Sequence, residues 1–215
     1  MTNREKEYFC ALAASLLSPP DREMLEDLKQ EGIRSFLEEN IKEWGGDPQL
    51  LSEFSPGEIP QDFLPVLKRE YARLFTDLQG EKISLVESTY KPWTGDSECA
   101  LAFAGAKGLL MGDYALHMRE MFRLLSLEVP EEFRSAPDHL ALELEFLSLF
   151  YNSAPQEKIQ VFIEDHLDWI PDLKERLCQV NPHPFYGNAV ELINIFLRHE
   201  KKEGQDKSNG SQNIH

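Results

Sequence analysis

The stretch SAPDHLALELEFLSLF, from Ser135 to Phe150, decides the fold. Its leucines and phenylalanines recur at three- and four-residue spacing, which is the spacing of residues on one face of an α-helix. Pro137 suits a first helical turn, and Ser135 with Asp138 resembles a capping box in which Asp replaces the usual Glu or Gln. The stretch therefore predicts a buried helix that begins at Ser135.

The same helix carries two polar residues that a core helix does not require. His139 and Glu143 lie one turn apart and share a stripe with Phe146 and Phe150 on a helical projection. Burying either group alone costs several kcal/mol, so each is expected to pair with the other or with another polar group. Two interpretations stay open, a hydrogen bond that locks the helix N-terminus and a polar spot at the rim of a ligand groove. A metal site would need more ligands than this pair supplies.

Helical periodicity continues over most of the chain. Pro19-Pro20 ends an opening helix, and Asp21 is placed to cap a second. Further helices are predicted over 33–44, 62–75, from about 97, 113–125, 156–166, 169–180 and 185–199. No segment alternates long enough to require a strand. The prediction is an all-α fold, a single helical bundle of about ten helices over residues 1–200, followed by a disordered tail over 201–215 that has almost no apolar residues.

One long segment, residues 76–96, interrupts the helical pattern. It contains Gly and Pro, and it also holds Tyr90 and Trp93. Loops longer than about 12 residues in compact domains are usually functional or disordered. Because large aromatic side chains favour order, this loop is predicted to contribute to a functional site.

The composition excludes several classes of function. A formal net charge of −16 argues against nucleic-acid binding, which requires clustered Lys and Arg, and it fits a basic peptide or protein segment as partner. The three cysteines are far apart and form no CxxC, so no iron–sulfur or structural zinc site is expected. No run approaches about 18 apolar residues and no signal peptide is recognisable, which predicts a cytoplasmic protein without membrane insertion.

Four stretches occur in the order and with the spacing of the motifs of a known family. They are Tyr71-Ala-Arg-Leu74-Phe75, Glu87-Ser88-Thr89-Tyr90, Pro137-Asp138-His139 continuing into Glu143-Leu144-x-Phe146, and His166-Leu-x-Trp169 followed by His183-Pro184-Phe185-Tyr186. Together they resemble the TorD/DmsD/NarJ family of cytoplasmic chaperones that mature molybdenum-containing redox enzymes, most closely the TorD and DmsD branches. The resemblance spans about residues 70 to 190. The first 60 residues match only in helical pattern and in the Pro19-Pro20 stop.

The resemblance implies a TorD-like helical fold with no catalytic activity and no cofactor of its own. Family members bind the twin-arginine signal peptide of a molybdopterin-containing oxidoreductase precursor and hold it back from export until its cofactor is inserted. Both monomers and domain-swapped homodimers occur in the family, and this sequence leaves both states open. No nucleotide-binding motif is present.

The resemblance also implies a set of residues that contact the peptide. Matched to the family motifs are Tyr71, Leu74, Phe75, Ser88, Tyr90, Pro137, Asp138 and His139. Trp93 is added as a large aromatic residue of the same loop. Glu87 and Glu143 join Asp138 as acids that could accept paired hydrogen bonds from a guanidinium group. Beside them, the aromatic and leucine side chains are expected to form an apolar groove.

Two other functions remain as alternatives to the chaperone. A helical adaptor would dock the mature partner enzyme through the aromatic loop and ignore its leader. An enzyme would use His139 and Glu143 as an acid–base pair. No nucleophile, metal-ligand set or cofactor motif accompanies that pair, so the sequence favours the chaperone.

Overall fold

The computed structural model describes residues 1–54, 62–76 and 82–212, with side chains through residue 205. Over these ranges the chain forms nine α-helices and no strand, which confirms the all-α prediction. The helices are α1 Asn3–Leu16, α2 Arg22–Leu28, α3 Glu31–Glu43, α4 Phe63–Tyr71, α5 Asp113–Leu124, α6 Leu140–Ser153, α7 Gln156–His166, α8 Ile170–Gln179 and α9 Pro184–Gln212. A π-helical turn, Ala72–Thr76, extends α4, and short 3-10 turns occupy Pro48–Phe54, Glu87–Thr89 and Glu131–Phe133.

The first two helices start at side-chain caps. Thr2 and Glu5 form a capping box at the start of α1, in which each side chain accepts from the backbone N–H of the other residue. The Asp21 carboxylate accepts from the Met24 N–H at 2.9 Å, which confirms the predicted cap of α2.

Helix α6 runs through the centre of the molecule. It packs along α1 for most of its length and also contacts α7. Nine of its fourteen residues are buried, including the stripe of Leu140, Leu144, Leu147 and Tyr151. The core continues to α9, where the rings of Phe9 and Phe196 lie 4.6 Å apart. The prediction of a buried helix is therefore confirmed.

The predicted start of this helix is wrong by five residues. Helix α6 begins at Leu140 with His139 as its N-cap, and Ser135 with Asp138 forms no capping box. The reason is that Asp138 bonds to a distant segment instead. Its carboxylate and its carbonyl oxygen accept from Ser88 and from Glu87, about 50 residues earlier in the chain.

The helix predicted to begin near residue 97 is also absent. Residues 97–112 form consecutive turns that fold back on the preceding loop, with the Trp93 N–H bonded to the Ala106 carbonyl oxygen at 3.0 Å and the Thr94 N–H to the Ala104 carbonyl oxygen at 3.0 Å. Gly108 has a φ of +87°, which a helix does not allow. These bonds keep the 91–95 segment in place beside α5.

Helix α9 extends past residue 200, where the folded domain was predicted to end. Its backbone is helical to Gln212, so most of the segment predicted as a disordered tail is described as helix. The buried Lys6 ammonium lies 2.6 Å from the Glu200 carboxylate and 3.2 Å from Glu203, which fixes the helix against α1. The domain boundary at residue 200 stays a prediction.

Two further observations concern the cysteines and the membrane. Cys10 is buried, Cys178 is exposed, and neither they nor Cys99 form a disulfide. Among the helices of the described ranges, none combines the length and the apolar character that a membrane crossing requires.

Candidate functional site

The Pro137-Asp138-His139 motif is a joint between two distant parts of the chain. Val86 and His139 form an isolated antiparallel bridge, and the Leu140 N–H donates to the Leu85 carbonyl oxygen at 2.8 Å. The Asp138 carboxylate accepts from both the backbone N–H and the hydroxyl of Ser88. The motif therefore connects the 85–88 segment to the start of α6.

Asp138 is fully buried in this joint. Burial raises the pKa of its carboxyl group, and the two hydrogen bonds from Ser88 oppose that shift. In this conformation the carboxylate contacts Ser88 and has no exposure to solvent, so a guanidinium group of a ligand cannot reach it.

His139 caps α6 and does not pair with Glu143. Its Nδ1 atom accepts from the Ala141 N–H at 3.2 Å, and its ring lies 4.8 Å from that of Phe133. The sequence left two kinds of partner open for His139, Glu143 or another polar group. The structure shows the second kind, the Ala141 N–H. Burial, with a smaller contribution from Lys82, lowers the pKa of His139 to about 4.

This lowered pKa predicts an acid-sensitive fold. Between about pH 6.5 and 4 the unfolded chain takes up a proton on His139 that the folded chain does not. The free energy of unfolding therefore decreases as the pH is lowered through this range. Relative to His139→Asn, which retains a capping oxygen but does not titrate, wild type should lose about 2 kcal/mol between about pH 7 and about pH 5. Urea unfolding at several pH values measures the difference, in which all other titrations cancel. A difference that is constant over this range would contradict the assignment.

Below the joint, a chain of hydrogen bonds runs from Lys91 to the surface. The Glu87 carboxylate is fully buried, with Oε1 2.7 Å from Lys91 Nζ and Oε2 2.8 Å from His166 Nδ1. His166 Nε2 lies 2.8 Å from Nδ1 of the exposed His117. Because a carboxylate only accepts, the neutral form of His166 would carry its proton on Nδ1, and its Nε2 atom would then accept from His117. Burial and the neighbouring His166 lower the pKa of His117.

Glu143 completes this buried network as a neutral acid. It is fully buried, and its Oε2 atom accepts from the Trp169 indole N–H at 3.3 Å. Burial and the adjacent Glu87 raise the pKa of Glu143 well above its usual range. Two adjacent buried acids could not both be ionised here, so the pair shares one proton, which the raised pKa of Glu143 assigns to that residue.

The network also contains a set of atoms that could reach one metal ion. Ligand atoms of Glu87, Glu143 and His166 all lie within 4.8 Å of one another. The Lys91 ammonium already brings a positive charge to Glu87, and both Glu87 oxygens already accept hydrogen bonds. Charge balance in this network therefore favours the shared proton over a cation.

An open cleft lies where the network meets the surface, between α5, α7 and the 91–95 segment. Its volume is about 370 Å³. The lining residues are Lys91, Gly95, Asp113, Tyr114, His117, Glu164, Asp165, His166 and Asp168. Four carboxylates and one ammonium give the lining a formal charge of −3 with both histidines neutral. We call this feature the acidic cleft.

The acidic cleft continues into a smaller apolar pocket. This pocket has a volume of about 210 Å³, and it shares His117, Asp165 and His166 with the cleft. Its other lining residues are Met121, Phe150, Lys158, Val161 and Phe162. We call it the adjoining pocket.

The eleven residues predicted to contact a peptide are distributed over three places. Glu87, Ser88, Pro137, Asp138, His139 and Glu143 are at the joint and in the network. Tyr71, Leu74 and Phe75 lie in an aromatic cluster at the end of α4, where the Phe75 ring is 5.4 Å from that of Tyr186. Tyr90 stacks on Trp169 at 4.8 Å, and Trp93 contacts the edge of Phe103 at 5.0 Å.

Nine of these eleven residues are buried, and only Trp93 and His139 are partly exposed. Burial raises the pKa of the Tyr71 hydroxyl to about 12, as expected for a core tyrosine. The assignment of the eleven residues to peptide contacts stays a prediction, and direct contact would require these buried segments to separate.

The sequence analysis did not predict the exposed acids of the acidic cleft. Among the residues that line the cleft, His166 alone is a named residue of one of the four motifs.

Comparisons with known proteins agree with the motif resemblance. A sequence model of the family described as nitrate reductase delta subunit matches residues 47–177. A chaperone protein TorD from Vibrio cholerae is 32% identical over 121 residues, which is 49% of this chain and 55% of the relative. The chain thus spans about half the length of such curated relatives. A chaperone protein TorD from Photobacterium profundum is 27% identical over 187 residues, and this match covers 77% of this chain and 85% of the relative.

A solved structure has the same fold. It is described as a proposed redox enzyme maturation protein from Archaeoglobus fulgidus, and it superposes with a TM-score of 0.51 over 93% of each chain. Its sequence identity to this chain is 19%, so the likeness supports the fold alone.

Proposed function

Because the chain belongs to the nitrate reductase delta subunit family and its curated relatives are named TorD chaperones, we propose that it is a redox enzyme maturation chaperone. The predicted membership of the TorD/DmsD/NarJ family is confirmed by these matches. Within the proposal, the protein acts in the cytoplasm on the precursor of a molybdopterin-containing oxidoreductase. It binds the twin-arginine signal peptide and keeps the precursor from export until the cofactor is inserted. The proposal holds for a monomer or a homodimer.

The observation that carries this proposal is the acidic cleft beside an apolar pocket. A twin-arginine signal is basic at one end and apolar in the segment that follows, so its receptor needs carboxylates next to an apolar surface. The chain offers both on one face, and its formal net charge of −16 would raise the rate of encounter with a basic peptide.

The geometry does not support the enzyme alternative. His139 Nδ1 is used by the helix cap, and Glu143 is buried against Trp169 and Glu87. The two side chains therefore do not form the acid–base pair that this alternative requires.

The adaptor alternative is favoured by one observation of its own, an exposed apolar surface on the 101–127 region. Its large apolar residues with at least a third of their surface exposed are Leu101, Phe103, Leu109, Leu110, Leu116, Leu124, Leu125 and Leu127. Exposed apolar side chains that group on one surface are typical of protein–protein contacts. An adaptor of this type would bind the mature enzyme as well as its precursor.

A binding experiment separates the two proposals. A molybdopterin-containing oxidoreductase of the same organism, chosen for its twin-arginine leader, is prepared with and without that leader, and each form is titrated into the full chain by calorimetry. The chaperone proposal predicts at least about tenfold tighter binding of the form that carries the leader. Equal affinities for both forms would favour the adaptor, and no heat with either form would reject both.

A further inference from the structure

The acidic cleft already holds one cation, which belongs to the chain itself. The Lys91 ammonium donates to the Glu87 carboxylate at 2.7 Å, to the Asp165 carbonyl oxygen at 2.6 Å and to the Asp168 carboxylate. It also lies 4.2 Å from the centre of the Tyr114 ring. Burial opposes its charge, but Glu87 and Asp168 outweigh that effect and raise the pKa of Lys91. Carboxylates and an aromatic face are the groups that bind a guanidinium as well as an ammonium.

With the positive charge of Lys91 included, the lining of the cleft still carries a formal charge of −3. Glu164 and Asp165 are both exposed at its rim on α7, one residue apart in the chain. Asp113 also lines the cleft, but its carboxylate accepts from Thr94 and Gly95 and so has a structural task. Glu164 and Asp165 are therefore the acids best placed to accept hydrogen bonds from a ligand.

The adjoining pocket supplies the apolar half of the site. Val161 lies one helical turn before Asp165 on α7, and half of its surface is exposed. Phe150 and Met121 line the same pocket from α6 and α5. A peptide whose arginines contact Glu164 and Asp165 would thus bring its next apolar residues against Val161, one turn away on the same helix.

We infer that a basic and then apolar leader peptide binds along α7, with its arginines at Glu164 and Asp165 in the acidic cleft and its apolar segment at Val161 in the adjoining pocket. The buried motif residues then hold the site together from below and do not touch the peptide. This inference rests on the proposed function, and it assigns that function to accessible residues that no family motif marks.

Calorimetry with synthetic peptides tests the assignment. The first peptide carries two adjacent arginines followed by an apolar helix-forming segment; a second has glutamines for the arginines, and a third has serines for the apolar residues. The double variant Glu164→Gln/Asp165→Asn should bind the first peptide about tenfold more weakly than wild type and with a smaller dependence on salt. The same variant should bind the second peptide as wild type does.

The apolar half is tested in the same series. Val161→Asn should weaken binding of the first peptide severalfold and leave binding of the third peptide unchanged. The matched control is Glu23→Gln/Glu39→Gln, which makes the same change in net charge at exposed residues of α2 and α3, outside the cleft. It should bind the first peptide as wild type does.

The outcomes separate the site from the function. If wild type binds the first peptide and Glu164→Gln/Asp165→Asn binds it equally well, the site is wrong while the proposed function stands. An equal loss in the control double variant would mean that net charge alone attracts the peptide, which also overturns the site. If wild type binds neither this peptide nor the leader of the oxidoreductase used in the precursor titration, the proposed function itself fails. Circular dichroism confirms that each variant is folded.

Discussion

Replacing Glu87 by Gln is expected to lower the free energy of unfolding by about 3 kcal/mol. Glu87 is fully buried and is the shared acceptor for Lys91 and His166, at 2.7 and 2.8 Å. The amide removes the negative charge, and among the described residues the buried Lys91 then keeps one ion pair, with the partly exposed Asp168. Removing one partner of a buried ion pair is strongly destabilising because the other charge remains out of water.

The measurement is thermal and urea unfolding of the full chain. For a domain of this size the loss corresponds to a decrease in Tm of roughly 6 to 12 °C. The matched variant is Glu143→Gln, at a carboxyl group that is equally buried and directly adjacent. Because Glu143 is held neutral, its amide should leave stability unchanged or slightly higher.

The pH dependence of the matched variant has a definite sign. A carboxyl group with a raised pKa must take up a proton when the chain folds, so its contribution to stability decreases as pH rises toward its folded pKa. Gln removes this term, and the stability of Glu143→Gln relative to wild type should therefore increase from about pH 6 to about pH 8. Equal losses in the Glu87 and Glu143 variants would mean that both acids are ionised, and the shared proton would be wrong.

The buried acids also show how far the sequence could predict the site. Glu87, Asp138 and Glu143 were expected to lie together, and the structure places them in one joint and its network. They were expected at a groove rim, however, and they are buried. Apolar periodicity reports which face of a helix is inside, but whether a polar residue is satisfied internally depends on partners far along the chain, here Ser88, Lys91 and His166.

The same difference between local pattern and distant partners explains which parts of α6 were predicted correctly. The centre of α6 was predicted well because its leucine spacing is a local property of the sequence. Its first residue was not, because Asp138 bonds to Ser88 and Glu87 instead of capping the helix. The acidic cleft could not be predicted at all, since it is assembled from α5, α7 and the 91–95 segment, whose relative positions are set by core packing.

Replacing Gly112 by Ala is expected to destabilise the chain by about 3 kcal/mol and to weaken leader-peptide binding by at least about tenfold. Gly112 is buried at the N-cap of α5, with a φ of −76° that any residue can adopt, so backbone strain is not the reason. A methyl group there would lie well inside van der Waals contact with the Trp93 carbonyl oxygen. That oxygen accepts from the Asp113 N–H at 2.9 Å, and neither backbone segment can rotate aside as a flexible side chain would.

The predicted effect on binding follows from which segment has to move. Displacing Trp93 from α5 separates Thr94 and Gly95 from the Asp113 carboxylate, to which they donate at 2.6 and 3.0 Å. Gly95 and Asp113 form one wall of the acidic cleft, so the cleft should lose its shape while the core around α6 stays folded. Gly105→Ala is the matched control, because a methyl group at Gly105 meets nothing within 4 Å and should change neither quantity by much. The measurement is peptide titration well below the Tm, with the free energy of unfolding measured on the same variants. If the Gly112→Ala chain is destabilised but binds the peptide normally, the wall between Trp93 and α5 is not part of the binding site.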